Sequence, residues 1–207
     1  MATYGRESAR AARLQSTDAR ANTTQRLLVE ALTNVVKTEG FDKATATRIA
    51  GEAGLSRSGF YEHFANVDEL ALFVLDSLLA EATALDLRAR QDDAAQHEPS
   101  MPEFAVETLI TAIQNRRDLF QHLLLSDKAG GAVGRAMERF TQSAKSVVEV
   151  IRPELSAAEH DLYGAAIGGT VLGLVMHYLR TDDERPAVEL AREMIAHMPA
   201  WMYPRYP

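Results

Sequence analysis

The sequence predicts an all-α protein of about nine helices, and three of its features lead to that prediction. Residues typical of helix N-caps recur along the whole chain. Apolar residues return three or four positions apart, as they do on the buried face of a helix. β-Branched and aromatic residues nowhere alternate with polar ones over a sustained run, which a half-buried strand would require. The 207 residues suffice for a small domain joined to a larger one.

The first predicted helix covers about 22–39 and is preceded by an arm. Asn22, with a glutamine three residues later, has the pattern of a capping box, and Gly40 is placed to end the helix. Leucine, alanine and valine residues form one apolar stripe along it. Residues 1–21 are polar and contain four arginines, so we expect them to form a flexible arm.

Two short helices follow, and they predict the first domain. Thr45 caps the second helix, Gly54 ends it, and Ser56 caps the third. Gly54 can adopt the left-handed conformation that a tight turn between helices needs. Three helices within 22–66, the last two joined by such a turn, predict a helix-turn-helix domain.

Six more helices are predicted after this domain, and together they make a larger helical domain over 67–207. Capping boxes at Ser100–Glu103 and Ser156–Glu159 mark two of the helix starts. Pro153 follows the end of another helix. The expected ranges are about 67–88, 101–115, 117–126, 132–151, 156–180 and 186–203.

Composition narrows the classes of function. The net charge of −7 is uneven, since residues 1–66 hold nine Lys/Arg and seven Asp/Glu, whereas residues 67–207 hold thirteen and twenty-two. The acidic part would repel nucleic acid at long range and the N-terminal third would not. The chain has no cysteine, which excludes thiol nucleophiles, disulfides and cysteine-based zinc sites. No two histidines lie four apart on one predicted helix, so we expect no metal site and no cofactor.

The chain shows no sign of insertion into a membrane. No apolar run approaches the roughly 18 residues of a membrane span. The N-terminal segment lacks the apolar stretch of a secretory signal. We therefore expect a cytoplasmic protein with no membrane partner.

The third helix carries side chains suited to DNA. Phe60 and Phe64 lie four residues apart on one face and are predicted to be buried. Arg57, Ser58 and Tyr61 point elsewhere. A major groove about 12 Å wide admits such a helix. Arginine has the geometry to donate to guanine O6 and N7, while hydroxyl groups can donate to phosphates.

A series of short motifs leads to a family resemblance. They are a Gly-Phe turn at 40–41, the cap at Thr45, the run IAGEAGLS at 49–56 and the ending Phe-Tyr-x-His-Phe at 60–64. In this order and spacing they resemble the DNA-binding domain of the tetracycline-repressor (TetR) family of bacterial regulators, over 23–70. The resemblance implies a homodimer that binds a palindromic operator and is released by a small-molecule inducer.

The resemblance also implies which residues contact DNA. Two positions depart from the family's pattern: Val67 stands where the family often has a phosphate-binding lysine, and Glu62 places a carboxylate on the recognition helix. The arginine-rich arm could compensate by contacting phosphates or a minor groove. The implied DNA-contacting residues are Thr45, Thr47, Arg48, Arg57, Ser58, Gly59, Tyr61 and His63.

Four glycines in the helix over 156–180 need an explanation, because interior glycine costs about 1 kcal/mol each relative to alanine. Close packing in an intersubunit four-helix bundle is one explanation, and a crowded core within one chain is the other. The dimer interpretation includes the last helix. Its residues are Gly164, Gly168, Gly169, Gly173, Leu190, Met194, Met198 and Trp201.

Aromatic and polar groups on the inward stripes of the middle helices are candidates for a ligand pocket. A Phe or Met at helical spacing is more often a core residue, and His122 and His177 are as easily core histidines as ligand-binding ones. The candidate set is Phe104, Ile113, Phe120, Leu124, Phe140, Val147, Met176 and His177.

Two other classes of protein remain open from the sequence. One is an all-α enzyme or ligand carrier with a helix-turn-helix, although the sequence lacks a phosphate-binding glycine loop, a nucleophile elbow and a His-Glu-x-x-His motif. We therefore expect no enzymatic activity. The other is a dimeric interaction module that has lost DNA binding, which Val67 and Glu62 favour.

Overall fold

The computed structural model describes residues 4–91, 101–126, 130–181 and 183–202. In that part of the chain there are nine α-helices and no strand, which confirms the predicted all-α fold. The chain divides into two compact units, Met1–Leu70 and Ala71–Pro207. The helices are α1 Tyr4–Glu39, α2 Ala46–Glu52, α3 Arg57–Tyr61, α4 Val67–Gln91, α5 Met101–Gln114, α6 Arg117–Leu125, α7 Gly130–Ile151, α8 Ala157–Arg180 and α9 Ala187–Ala196.

The first helix is longer than predicted. It begins at Tyr4, so Asn22 lies inside α1 rather than at its N-cap. The segment before Asn22 is rich in alanine and arginine, which are strong helix formers, so the helix continues through the local capping signal. The predicted end is confirmed, since α1 stops at Glu39 and Gly40 has a φ of 84°.

The first unit is built around the predicted apolar stripe of α1. Leu28, Leu32 and Val35 are fully buried. Ile49 of α2 and Phe60 of α3 are buried in the same unit. These three helices therefore form the small core that a helix-turn-helix domain needs.

In the second unit, α7 and α8 approach each other closely because α8 carries glycines where they meet. A Cβ atom on Gly168 would lie 2.6 Å from Thr141 N and 2.7 Å from Phe140 C. A Cβ atom on Gly164 would lie 2.8 Å from Lys145 Cβ. A side chain does not fit in the narrow gap that these distances describe. Packing within the chain thus explains Gly164 and Gly168, and these two leave the set expected at a dimer interface.

By length and composition α8 could also cross a membrane. It has 24 residues, with a mean hydropathy of 1.4 over its most apolar window. The prediction that no segment has this character is therefore wrong. Ile167, Leu172 and Val175 of α8 are buried inside the chain, as expected for the core helix of a domain.

The C-terminal ends of α8 and α9 each have a structural cause. Arg117 Nη2 donates to the carbonyl oxygens of Tyr178 (3.1 Å) and Leu179 (3.3 Å), which satisfies the C-terminal end of α8. The last helix ends at Ala196 rather than near 203, because Pro199 follows and disfavours helical backbone in the residue before it.

The two predicted capping boxes have different outcomes. At the start of α8 the Ser156 hydroxyl accepts from Glu159 N and the Glu159 carboxylate accepts from Ser156 N, so this box is confirmed. Ser100, the first residue of the other predicted box, lies outside the described residues.

Candidate functional site

The turn between α2 and α3 depends on a glycine and two capping side chains. Gly54 has a φ of 70°, a left-handed conformation that favours glycine. Thr45 Oγ1 accepts a hydrogen bond from Arg48 N at 3.2 Å, and Ser56 Oγ accepts one from Gly59 N at 3.1 Å. The predicted caps at Thr45 and Ser56 are therefore confirmed.

The third helix is anchored on one side by aromatic packing. Phe60 is fully buried and Phe64 nearly so, with ring centroids 6.1 Å apart. Tyr61 meets the Phe60 ring edge-on at 5.5 Å but keeps 47% of its surface exposed. The helix thus has one buried side and one side open to solvent.

The open side of α3 presents Arg57, Ser58 and Tyr61. The Arg57 guanidinium lies 5.5 Å from the centroid of the Tyr61 ring. Within the described part of the chain, no carboxylate lies within salt-bridge distance of Arg57. Ser58 Oγ is 2.9 Å from Ser56 Oγ. A guanidinium, a hydroxyl and a phenol on one small surface can donate to base edges and phosphate oxygens.

Arg48 has a different environment from Arg57. Its Nη2 lies 2.7 Å from Glu39 Oε1 and its Nη1 lies 3.0 Å from Glu52 Oε2. The hydrogen bond to Glu39, followed by that to Glu52, raises the pKa of Arg48 above its ordinary value. Two carboxylates therefore compensate this charge and tie α2 to the end of α1. Arg48 is exposed, but its donors are already directed at protein acceptors.

The remaining predicted DNA contacts lie around the same turn. Thr47 is exposed on α2, while Gly59 and His63 are half-buried. Of the two departures, Glu62 is exposed at the C-cap of α3 and Val67 is half-buried at the start of α4. Residues 22–66 carry five Lys/Arg and five Asp/Glu, so this part of the chain has no net charge.

The second unit contains a cavity with about 660 Å³ of empty space, including its mouth. Side chains of α4, α5, α7, α8 and α9 line it. Its wall is mostly apolar, with Leu79, Phe140, Val147, Ile167 and Met194 among the larger members. Ligand sites in proteins are commonly lined in this way, by apolar side chains with a few polar groups. Among the described residues no group of His, Asp and Glu is placed to hold a metal ion.

Three polar residues interrupt the apolar wall. Thr83 Oγ1 and Ser143 Oγ are 2.6 Å apart and join α4 to α7. Asp86 is 6% exposed and is bound by Arg90 through two contacts, of 2.7 Å and 3.1 Å. Arg90 also donates to the Met202 carbonyl oxygen at 3.0 Å. The buried carboxylate is therefore charge-compensated, as burial requires.

Comparison with known proteins identifies the first unit. Residues 28–73 match the family model described as bacterial regulatory proteins, tetR family. This segment is similar to the N-terminal domain of that family. The matched residues include the whole of α2, the turn and α3, which is the region whose open side presents the guanidinium and hydroxyl groups.

Solved structures share the fold over most of this chain. Thermus thermophilus FadR, a TetR-family transcriptional repressor in complex with lauroyl-CoA, is 18% identical with a TM-score of 0.58, covering 83% of this chain and 91% of its own. A protein assigned to the TetR family from Mesorhizobium loti MAFF303099 is 20% identical with a TM-score of 0.54, covering 88% and 96%. RolR in complex with resorcinol is 14% identical with a TM-score of 0.53, covering 91% and 97%.

Two of the eight residues predicted to line a ligand pocket lie on the cavity, Phe140 and Val147. Phe104 is 44% exposed and His177 is exposed, so both face away from the core. The others are buried or half-buried and do not line this cavity; they are Ile113, Phe120, Leu124 and Met176.

Four of the residues expected at a dimer interface make contacts inside the chain instead. Leu190 and Met194 are buried within the chain, and Met194 and Met198 line the cavity. Trp201 packs edge-on against Tyr163 at 5.3 Å.

The outer side of α8 is different in character. Gly173 has no atom within 4 Å of a built Cβ, and Gly169 meets only the end of Met137. Leu162, on the same side of the helix, is 67% exposed. A small-residue face with an exposed leucine therefore remains available on α8.

Sequence reasoning missed the polar groups of the cavity. Thr83, Asp86 and Ser143 were not among its candidates, because the partners Thr83 and Ser143 lie 60 residues apart. The Arg90 partner of Asp86 is four residues further along α4, at the spacing of a helical ion pair, and that spacing was the available signal.

Proposed function

We propose that this chain is a ligand-responsive transcriptional regulator that binds a palindromic operator as a homodimer and acts as a repressor released by a small-molecule inducer. The observation that carries the proposal is α3, held by buried Phe60 and presenting Arg57, Ser58 and Tyr61 to solvent. The proposal places the protein in the cytoplasm and includes no enzymatic activity.

Arg57 has the leading role in base recognition. Its guanidinium is exposed, has no carboxylate partner in the described part of the chain, and stands at the first position of α3. A bidentate contact with guanine is worth about 1–3 kcal/mol of discrimination against other bases. The hydroxyls of Thr47, Ser58 and Tyr61, with His63, serve as phosphate donors that position the helix.

Three residues contribute indirectly, by holding α2 and α3 in place: Thr45, Gly59 and Arg48. Thr45 and Gly59 N–H belong to the caps that set the start of each helix. Arg48 ties α1 to α2 through Glu39 and Glu52. Its contribution to DNA affinity is therefore smaller than that of an uncompensated arginine.

Dimer formation uses the outer face of α8 that includes Leu162, Gly169 and Gly173. The exposed leucine and the open space over the glycines support this face, because small residues let a second helix approach. Two recognition helices must lie about 34–36 Å apart to enter successive major grooves. A symmetric dimer reads an inverted repeat for this reason.

The inducer occupies the cavity of the second unit. FadR in complex with lauroyl-CoA and RolR in complex with resorcinol share the fold, and this supports a ligand-binding role for this chain. Thr83 and Asp86 lie on α4, which begins at Val67, a few residues after the proposed DNA contacts in the sequence. A ligand that binds one arrangement of α4 better than another shifts the population, by no more than its difference in affinity.

The test is selection of bound duplexes from a random library, followed by affinity at several salt concentrations. Enrichment of an inverted repeat, with log affinity falling by about 0.9 per neutralised phosphate against log salt, supports the proposal. A variant lacking residues 1–20 then measures the contribution of the arginine-rich N-terminal segment, most of which belongs to α1. No enrichment, with and without a ligand bound, would count against DNA binding altogether.

A second candidate function is a dimeric ligand-binding module without DNA binding. The compensated charge of Arg48 and the exposed Glu62 favour it, since both reduce attraction to phosphate. The same selection decides between the two, because this module enriches no duplex and shows no salt-dependent affinity.

A further inference from the structure

The Thr83–Ser143 pair differs from several other helical hydroxyl groups in the described part of the chain. Serine and threonine in helices commonly donate to the carbonyl oxygen four residues earlier. Thr83 and Ser143 instead meet each other across the wall of the cavity at 2.6 Å. Hydroxyls that do donate to the carbonyl oxygen four residues earlier include those of Thr33, Thr38, Ser77, Thr108, Ser146 and Thr170.

The pairing leaves hydrogen-bonding capacity facing the cavity. Each hydroxyl has one donor and two acceptor lone pairs. The bond between Thr83 and Ser143 uses one donor and one lone pair, whichever atom donates. One O–H and the remaining lone pairs are left for a bound molecule. A hydroxyl group on a ligand can use both kinds of site at once.

The rest of the wall disfavours a charged ligand. Asp86 is the one ionisable residue among the described lining residues, and Arg90 already binds both of its carboxylate oxygens. An anionic ligand would meet a carboxylate, and a cationic ligand would compete with a guanidinium in place. A buried charge without its own partner is costly.

We infer that the cavity selects neutral, largely apolar molecules that carry one hydroxyl or carbonyl group, and that the Thr83–Ser143 pair is its polar anchor. This inference rests on the proposed function for the role of the cavity as the inducer site. It adds the chemical class of the inducer and the two residues that recognise it.

The test compares decanol, decanoate and decylammonium, which share one alkyl chain, by titration calorimetry on the full chain below their micelle concentrations. We expect decanol to bind at least about tenfold more tightly than either charged molecule. Replacing both hydroxyls, as Thr83→Val with Ser143→Ala, should weaken decanol binding by about tenfold, which corresponds to one net hydrogen bond.

Two control variants separate a loss of ligand binding from a loss of folding. Thr83→Ser keeps the hydroxyl and should keep decanol affinity. Thr170→Val removes an exposed hydroxyl that donates to Ala166 O outside the cavity, and should change nothing. Tighter binding of a charged molecule, no binding of decanol, or unchanged decanol affinity in the double variant each overturns the inference.

A DNA-binding assay on the selected operator separates this inference from the proposed function. Hydroxyl-dependent decanol binding without release of the operator would refute ligand control and leave the inferred ligand class standing. Operator binding together with no preference for decanol would refute the inferred class and leave DNA binding standing.

Discussion

Replacing Gly168 with alanine should destabilise the second unit. The new Cβ would lie 2.6 Å from Thr141 N and 2.7 Å from both Phe140 C and Thr141 Cα. All three are backbone atoms, so no flexible side chain can move aside. The helices α7 and α8 would have to separate by about 0.8 Å for the shortest distance to reach 3.4 Å, the lower limit of ordinary contact.

The expected size follows from two opposing effects. Overpacking in a core typically costs about 1–3 kcal/mol, and contact with backbone places this site at the upper end. The gain in helix propensity from glycine to alanine returns about 1 kcal/mol. The net loss is about 2 kcal/mol, which corresponds to a fall in melting temperature of about 4–8 °C for a chain of this size.

The matched control is Gly134→Ala on α7 of the same unit. Gly134 is exposed and nothing lies within 4 Å of the position of its Cβ, so only the gain in helix propensity remains. Thermal unfolding followed by circular dichroism should give the highest melting temperature for Gly134→Ala, then wild type, then Gly168→Ala. A Gly168→Ala protein that melts at or above the wild-type temperature would refute the close-packing argument.

Four further outcomes are expected. Arg57→Ala should weaken binding to the selected operator by about 1–3 kcal/mol and relax the base preference at one position, measured by fluorescence anisotropy on single-base variants. Arg48→Met should weaken operator binding less than Arg57→Ala and lower the melting temperature, because the pairs with Glu39 and Glu52 are lost; a larger loss of affinity than for Arg57→Ala would contradict its positioning role. Ser156→Ala should cost about 1 kcal/mol in thermal unfolding and Ser156→Gly only a few tenths, because glycine is a tolerable N-cap. Hydrogen bonds from Ser156 hold the pKa of Glu159 in the folded protein below its ordinary value. The ionised Glu159 therefore stabilises the fold at pH values above its unfolded pKa, and this stabilisation is lost as the pH falls through its folded pKa. The stability of Glu159→Gln, measured by unfolding from about pH 6 to pH 3, should consequently depend less steeply on acid than that of the wild type.

Local signals in the sequence predicted much of the fold and of the first site. Thr45, Ser56 and Ser156 each act on backbone groups within three residues, so their capping roles can be read directly. Gly40 and Gly54 stand where a left-handed conformation is required. Such features depend on a few neighbouring residues and on little else.

Features that depend on residues distant in the sequence are harder to predict from it. Asn22 is a good cap, but helix-forming residues on both sides outweigh it. Glycines spaced along α8 indicate close approach of another helix, and the pattern is the same whether that helix belongs to this chain or to a second copy. Only coordinates distinguish the two for Gly164 and Gly168, which face α7. The polar pair of the cavity joins residues 83 and 143, which no local pattern connects.

Under the proposed function, the compensated charge of Arg48 affects how long the protein stays on random DNA. Non-specific affinity for DNA comes almost entirely from electrostatic attraction to phosphates. Residues 22–66 have equal numbers of cationic and anionic side chains, and Arg48 is already occupied by Glu39 and Glu52. This domain would therefore stay bound to DNA of random sequence only briefly. Competing genomic sites would sequester few molecules, so that a moderate operator affinity could suffice for occupancy.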